Sequence, residues 1–316
     1  MRHGDHRGRR LRHERGHRAR GAPLLVEAGE AGAVSEPLFK AEAVHKSFRD
    51  PKSGASLEAL GGLSLEIQEG EFVSVIGPSG SGKTTLLYLM AGFLKPDSGR
   101  LLYKGAEVDG PSPERTVIFQ DYGLFPWKTA AGNVEFPLKA RGLSPSARRA
   151  GARKYLSMVH LDGFEDKYPH QLSGGMKQRV GIARALACGP DAVLMDEPFA
   201  ALDNITREML QEEILRLWSG LGKTFVLITH HLDEAIFMSR RIIVMSARPG
   251  VVKESIAVDL PEPRTAEVKT HPAFTALKAR LMKSLREEVE KSLAASRGPA
   301  LVLDMGVIKV AEKEAL

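Results

Sequence analysis

The 316-residue sequence contains a single cysteine, Cys188, which excludes an internal disulfide and a thiol-rich metal cluster and fits a reducing compartment. Cys188 is expected to be a small buried residue. Nowhere does the chain approach the ~18 consecutive apolar residues of a membrane-spanning helix, and its arginine-rich start lacks the apolar core of a signal peptide. The expectation is a chain that stays in the cytoplasm and reaches a membrane only through a partner. A surplus of positive charge is also missing from most of it. The formal charge is +6, but the first 20 residues hold eight arginines against Asp5 and Glu14, which is the whole surplus. The other 296 residues balance 37 basic against 37 acidic side chains. A domain that grips a phosphodiester backbone needs clustered Lys and Arg, so no nucleic-acid partner is expected.

Residues 1–36 read as a basic, disordered N-terminal extension, because the arginine-rich first 20 have almost no apolar residues whose burial could offset the entropy of ordering them. His3, His6, His13 and His17 admit a metal-binding reading; a solvated tail or a mis-assigned start codon is the plainer account of such a charge run.

From Pro37 the texture changes to short β-branched runs separated by helical patterns. Strands are predicted at Phe72–Ile76, Thr116–Phe119, Ala192–Met195, Phe225–Thr229 and Ile242–Met245, spaced for crossover helices and a largely parallel sheet. The fold class is α/β. Between about 130 and 180 the strand signal gives way to Lys/Arg/Leu-rich helical segments such as Ala147–Val159, read as an inserted helical subdomain. The main domain is placed at 37–262 and a C-terminal helical extension and tail at 263–316. In that extension Phe274, Leu277, Leu281, Leu285 and Val289 predict one amphipathic helix. Val307–Val310 are strand-like.

Gly77-Pro78-Ser79-Gly80-Ser81-Gly82-Lys83-Thr84 follows a predicted strand and opens a helical run, the context that G-x-x-x-x-G-K-[ST] requires. Glycines let the backbone curl so that N–H groups converge on phosphate oxygens at the positive end of the next helix. Lys83 supplies a charge for the β- and γ-phosphates and Thr84 a hydroxyl for Mg²⁺. Taken alone, such a segment could be a glycine-rich turn. At the end of another predicted strand stand Asp196 and Glu197. Adjacent carboxylates there are costly unless a cation or substrate uses them; a solvated turn is the bland alternative. Asp196 is placed to hold Mg²⁺ and Glu197 to accept a proton from an attacking water.

Leu172-Ser173-Gly174-Gly175-Met176-Lys177-Gln178-Arg179 resembles the signature of the ABC ATPases, an element other P-loop proteins lack. Independently of the family, Ser173 with two glycines before a helical run is a second helix N-terminus able to bind an anion, or an ordinary serine cap. The resemblance implies a P-loop core with an antiparallel β subdomain and an inserted helical subdomain. It also implies that the signature of one subunit covers ATP held by the phosphate loop of another, so ATP joins a homodimer. Gln120 resembles the Q-loop residue, Asp203 the D-loop aspartate, His230 the switch histidine and Phe48 the aromatic that stacks on adenine. The implied nucleotide set is Phe48, Gly77, Pro78, Ser79, Gly80, Ser81, Gly82, Lys83, Thr84, Thr85, Gln120, Ser173, Gly174, Gly175, Asp203 and His230. Catalytic roles fall on Glu197, His230, Gln120 and Lys83, and Mg²⁺ on Thr84, Gln120 and Asp196.

Phe119–Trp127, Met245–Gly250 and Leu260–Arg264 are similar to segments of the importers for nitrate, aliphatic sulfonates and taurine. That likeness implies two transmembrane permease subunits, an extracytoplasmic solute-binding protein, and a peripheral place on the cytoplasmic face of the inner (plasma) membrane. The aromatics Phe125 and Trp127 would suit a docking groove or be buried locally. A soluble ABC ATPase of DNA repair or translation is the alternative, but no coiled-coil insertion, zinc module or second cassette is visible. A P-loop kinase would leave Leu172–Arg179 without a purpose.

Overall fold

Strands covered on both faces are largely apolar at consecutive positions, and the five runs picked out by that texture are five of the six strands of the central sheet; the sixth, Val252–Ala257 at one edge, lies outside those predicted runs. The computed structural model describes residues 36–51 and 53–295; the readings of the basic arm and of Val307–Val310 lie outside the described residues. In chain order the elements are β1 (Phe39–Arg49), β2 (Ser56–Ile67), β3 (Phe72–Ile76), α1 (Lys83–Ala91), β4 (Ser98–Tyr103), β5 (Ala106–Glu107) and β6 (Arg115–Ile118). There follow α2 (Ala130–Ala140), α3 (Pro145–Met158), α4 (Gly174–Ala187), β7 (Ala192–Asp196), α5 (Asn204–Leu221) and β8 (Thr224–Ile228). The described part closes with α6 (Leu232–Met238), β9 (Arg241–Met245), β10 (Val252–Ala257) and α7 (Pro272–Ala295).

A six-stranded sheet has the order β10-β9-β3-β8-β7-β6, and all its pairings are parallel except β10 with β9. The period of two then divides each strand between two cores. Phe72, Ile76, Val193, Met195, Phe225 and Leu227 join the cluster that also takes residues from α2 to α7. Val73, Val75, Leu194, Val226 and Ile228 join the cluster formed with α1 and the second sheet. On the first side Phe72 stacks on Phe225 at 5.5 Å and meets Trp218 edge-on at 5.6 Å, while the indole N–H donates to Gly70 O at 3.0 Å. The second sheet, β2-β1-β4-β5, is antiparallel.

Helix α7 departs from the predicted stripe at one turn. Phe274 and Leu281 are buried, and Leu277 and Leu285 pack against them, but Val289 is 43% exposed and Glu288 is 2% exposed. Positions 274, 281 and 288 lie seven apart, two helical turns each time, so Glu288 continues the inward line. Lys253 Nζ at 3.1 Å and Lys291 Nζ at 2.7 Å supply the charge that a buried carboxylate requires.

The two sheets are tied at Asp191, just before β7. Its carboxylate accepts from Lys104 Nζ at 2.6 Å, in the β4–β5 turn, and from Lys223 Nζ at 2.8 Å, just before β8. Those two hydrogen bonds outweigh partial burial and hold the carboxyl at about 2. A depressed carboxyl stabilises the fold above its unfolded pKa and loses that contribution as pH falls through the folded value. Asp191→Asn is therefore expected to cost up to about 2 kcal/mol at pH 7, shrinking to roughly half by pH 3. Urea titrations at both pH values check this; a gap of equal size at both would contradict the ion cluster.

Candidate active site

The carboxyl ends of β3, β8 and β7 lie side by side, which brings three separate sequence segments to one edge. Beyond β3 the chain runs through Gly77–Ser81 and enters α1 at Lys83. Gly82 stands at φ 86°, a conformation that favours glycine, and a Cβ there would lie 2.7 Å from Ala59 O. No side chain caps α1 and no acid stands in its first turn, so the positive end of the helix is left for an anion. Lys83 is 8% exposed and donates to Gly77 O and Pro78 O, each at 2.9 Å. Burial pulls its ammonium down, against the upward pull of Glu197 and Asp196. The Ser81 hydroxyl is buried with no partner among the described residues.

At the end of β7, Asp196 Oδ1 accepts from Thr84 Oγ1 at 3.3 Å. Burial lifts the Asp196 carboxyl to about 6; the Thr84 hydrogen bond and Lys83 oppose the rise and Glu197 adds to it. Glu197 itself adopts φ 45°, costly for a non-glycine residue, and its N–H donates to Ile228 O at 2.9 Å. Its Oε2 lies 3.1 Å from His230 Nδ1, just past β8. Behind that histidine, Thr229 donates to the buried Glu234 at 2.6 Å and accepts from His231 N at 3.0 Å. His231 precedes α6, with its ring centroid 4.0 Å from that of His230, and burial depresses its pKa ahead of the charges around it.

A cleft of about 300 Å³ is lined by Phe48, Leu57, Ala59, the Ser79–Thr85 loop, Glu197, His230 and Arg248. Phe48 is 38% exposed and pairs across β1 and β2 with Leu57, its neighbour in the cleft wall, with Lys46 Nζ 5.9 Å from its ring centroid. Gln120 is exposed just past β6; Ile118 pairs with Met195, which places that exit beside the strand end bearing Asp196.

Ser173, Gly174, Gly175 and Asp203 do not line the cleft. Ser173 caps α4, accepting from Met176 N at 3.3 Å, and Asp203 caps α5, accepting from Thr206 N at 3.0 Å. These two helix starts adjoin, since a Cβ on Gly175 would meet the Thr206 methyl at 2.5 Å. Leu57, Ala59 and Arg248 escaped sequence reasoning. The first two carry no motif; Arg248 sits inside a segment noticed only for its likeness to importers.

Past Gln120, Phe125 packs on Phe136 at 4.8 Å and on Trp127 at 5.6 Å. Phe136 is 50% exposed and Trp127 70%. Buried Asn133 fixes this turn: its Oδ1 accepts from Phe125 N at 2.8 Å and its amide N–H groups reach the carbonyls of Phe125, Lys128 and Thr129.

The pattern of the ABC transporter family matches residues 60–200. The chain is 45% identical over 225 residues to a nitrate import ATP-binding protein of Synechocystis sp., covering 69% of this chain and 85% of that one. It is 48% identical over 224 residues to a taurine import ATP-binding protein of Yersinia pestis bv. Antiqua, covering 69% and 88%. A solved ATP-binding cassette, described as a dimer in a post-hydrolysis state bound to ADP and Pi, superposes with a TM-score of 0.63 at 35% identity, over 70% of this chain and 99% of that one.

Gly82→Ala places a side chain against the Ala59 carbonyl at an unfavourable φ and is expected to destabilise the protein by about 2 kcal/mol. Thermal unfolding measures it, and an unchanged midpoint would show that the loop is free to rearrange.

Proposed function

The chain belongs to the ABC transporter family as an ATP-binding subunit, and from that premise we propose that its ATPase site is shared between two copies and powers import of a small solute of the nitrate, sulfonate and taurine class. The observation that carries this reading is a division within one copy: the phosphate loop, Glu197 and His230 meet in the cleft, while the Ser173–Gly175 helix start does not line it. A helix N-terminus with an exposed serine is suited to an anion, and a second copy can present it to the phosphate loop of the first. Each copy then holds two half-sites.

In this reading the loop N–H groups, Lys83 and the start of α1 hold the triphosphate, with Thr85 and Ser79 in the same wall, and Phe48 offers its face to adenine. Glu197 accepts the proton of the attacking water; His230, 3.1 Å away, orients that carboxylate and donates toward the γ-phosphate. Ser173, Gly174 and Gly175 of the other copy cover the γ-phosphate, and Asp203 lies beside them across the joint. Thr84, Asp196 and Gln120 are hard oxygen donors of the kind magnesium takes, and the lifted Asp196 carboxyl is one that a cation would ionise. Bound there, the ion would neutralise charge on the phosphate oxygens.

ATP favours the closed pair because it contacts both copies only there, and that differential affinity is what drives a conformational change. Gln120 leads directly into the exposed Phe125–Trp127 turn, an apolar anchor suited to a permease helix. The helices between about 130 and 180 would carry closure to two such permease subunits. The full assembly includes an extracytoplasmic solute-binding protein and sets the chain on the cytoplasmic face of the inner membrane; among the described residues no helix is long and apolar enough to cross a membrane. The solute class is supported by the importers to which the chain is similar, and selection within it belongs to the other subunits.

Glu197→Gln keeps the shape of the site but removes the proton acceptor, so phosphate release is expected to fall by about 100-fold or more while ATP binding persists and dimers accumulate on size-exclusion chromatography. A variant that stays monomeric with ATP would count against the shared site. Ser173→Arg is expected to spare nucleotide binding and abolish hydrolysis; full turnover in that variant would mean that no second copy closes the site.

A further inference from the structure

The Ser246–Gly250 segment has no role in the scheme above, yet it is clamped from three sides. On the β2 side, Gly250 N donates to Ala59 O at 2.9 Å and Gly61 N to Gly250 O at 3.2 Å. On the phosphate-loop side a Cβ at Gly250 would overlap the Ser81 carbonyl oxygen, so the two backbones lie directly on each other. On the third side Ala247 N donates to Glu288 Oε2 of α7 at 2.9 Å. Within the segment, Ser246 Oγ accepts from Val251 N at 3.0 Å.

The side chain presented by this clamp is Arg248. It is exposed at the cleft wall, its Nε donates to Gly80 O at 3.2 Å, and no carboxylate pairs with its guanidinium among the described residues. A planar guanidinium with spare N–H groups beside a phosphate-binding loop matches phosphate oxygens in both charge and geometry. Glu288, one residue away along the clamp, is the buried carboxylate that replaces Val289 on the inner face of α7. Burial pushes its carboxyl up, but Lys291, the Ala247 N–H and Lys253 outweigh that and hold it at about 2. A charge sequestered this way is costly unless it is paired and hydrogen-bonded, and besides the two lysines its Oε2 accepts from the backbone N–H of the residue that precedes Arg248.

We infer that Arg248 binds the phosphates of the nucleotide and that Glu288, from the C-terminal helix, is the positioning residue that holds it at the cleft. This rests on the nucleotide site described above. It makes α7 a determinant of nucleotide affinity, although the helix lies beyond every motif of the ATPase core.

The test is equilibrium titration of the full chain with ATP and with ADP in magnesium buffer, comparing wild type, Arg248→Ala, Arg248→Lys, Glu288→Asp and the Arg248→Ala/Glu288→Asp double variant. Arg248→Ala is expected to raise Kd for both nucleotides about tenfold, with Arg248→Lys in between. Glu288→Asp keeps a carboxylate for Lys253 and Lys291 but is a methylene too short for Ala247 N, and is expected to raise Kd about threefold. Added to Arg248→Ala it should change nothing further, because a positioning residue acts only through the group it positions. Wild type that bound no ATP would sink the nucleotide site itself. Wild-type binding with Arg248→Ala equally tight would overturn the Arg248 assignment alone, and a Glu288→Asp effect of equal size in both backgrounds would overturn the positioning role alone.

Discussion

A parallel sheet buried on both faces can offer polar chemistry only where its strands end. In this protein Val73 pairs with Val226 and Asp196 with Ile228, so β3, β8 and β7 finish in step at one edge. The phosphate loop emerges there from β3, Asp196 and Glu197 from β7 and His230 from β8. Because the strands run the same way, residues separated by more than a hundred positions become neighbours at that edge.

The groups gathered at that edge are individually unfavourable. Glu197 holds a left-handed backbone, Asp196 carries a carboxyl lifted to about 6, Lys83 is buried against carbonyl oxygens, and the Ser81 hydroxyl has no partner among the described residues. Such features cluster where a ligand supplies the missing interactions. In the proposed site a triphosphate would bring negative charge to Lys83 and to the helix end, and a magnesium ion bound with it would bring positive charge to the carboxylates, so the two together would relieve unfavourable charge of both signs.

Support for the site comes from outside the core sheet as well. The antiparallel sheet supplies Phe48, Leu57 and the Ala59 carbonyl, which seats both Gly82 and Gly250. Helix α7 holds the Ser246–Gly250 segment through Glu288. If Arg248 binds nucleotide as inferred, the packing of α7 would be coupled to nucleotide affinity through the hydrogen bond from Ala247 N to Glu288.

The amino-acid sequence alone determined five of the six strands of the central sheet, to within a residue at each end, because strands covered on both faces leave largely apolar, β-branched runs; the edge strand β10, with Lys253, Glu254 and Ser255, leaves none. It also determined the phosphate loop, the Asp196–Glu197 pair and the serine-glycine start of α4, since backbone geometry and charge confine those residue types to those spacings. The antiparallel strands were legible only through family resemblance: β1 carries exposed polar residues and a register break at Ala43, whose φ is 46°, so neither an apolar run nor a clean alternation survives. The α7 stripe misassigned its last turn, because apolarity marks an inner face only until a buried ion cluster takes it over. The neighbourhoods of Arg248 with Gly80, 168 residues away, and of Ala247 with Glu288, 41 away, were decided by the tertiary structure. Local periodicity and motif chemistry record what a residue is suited to do, whereas these contacts exist only once separate elements have packed.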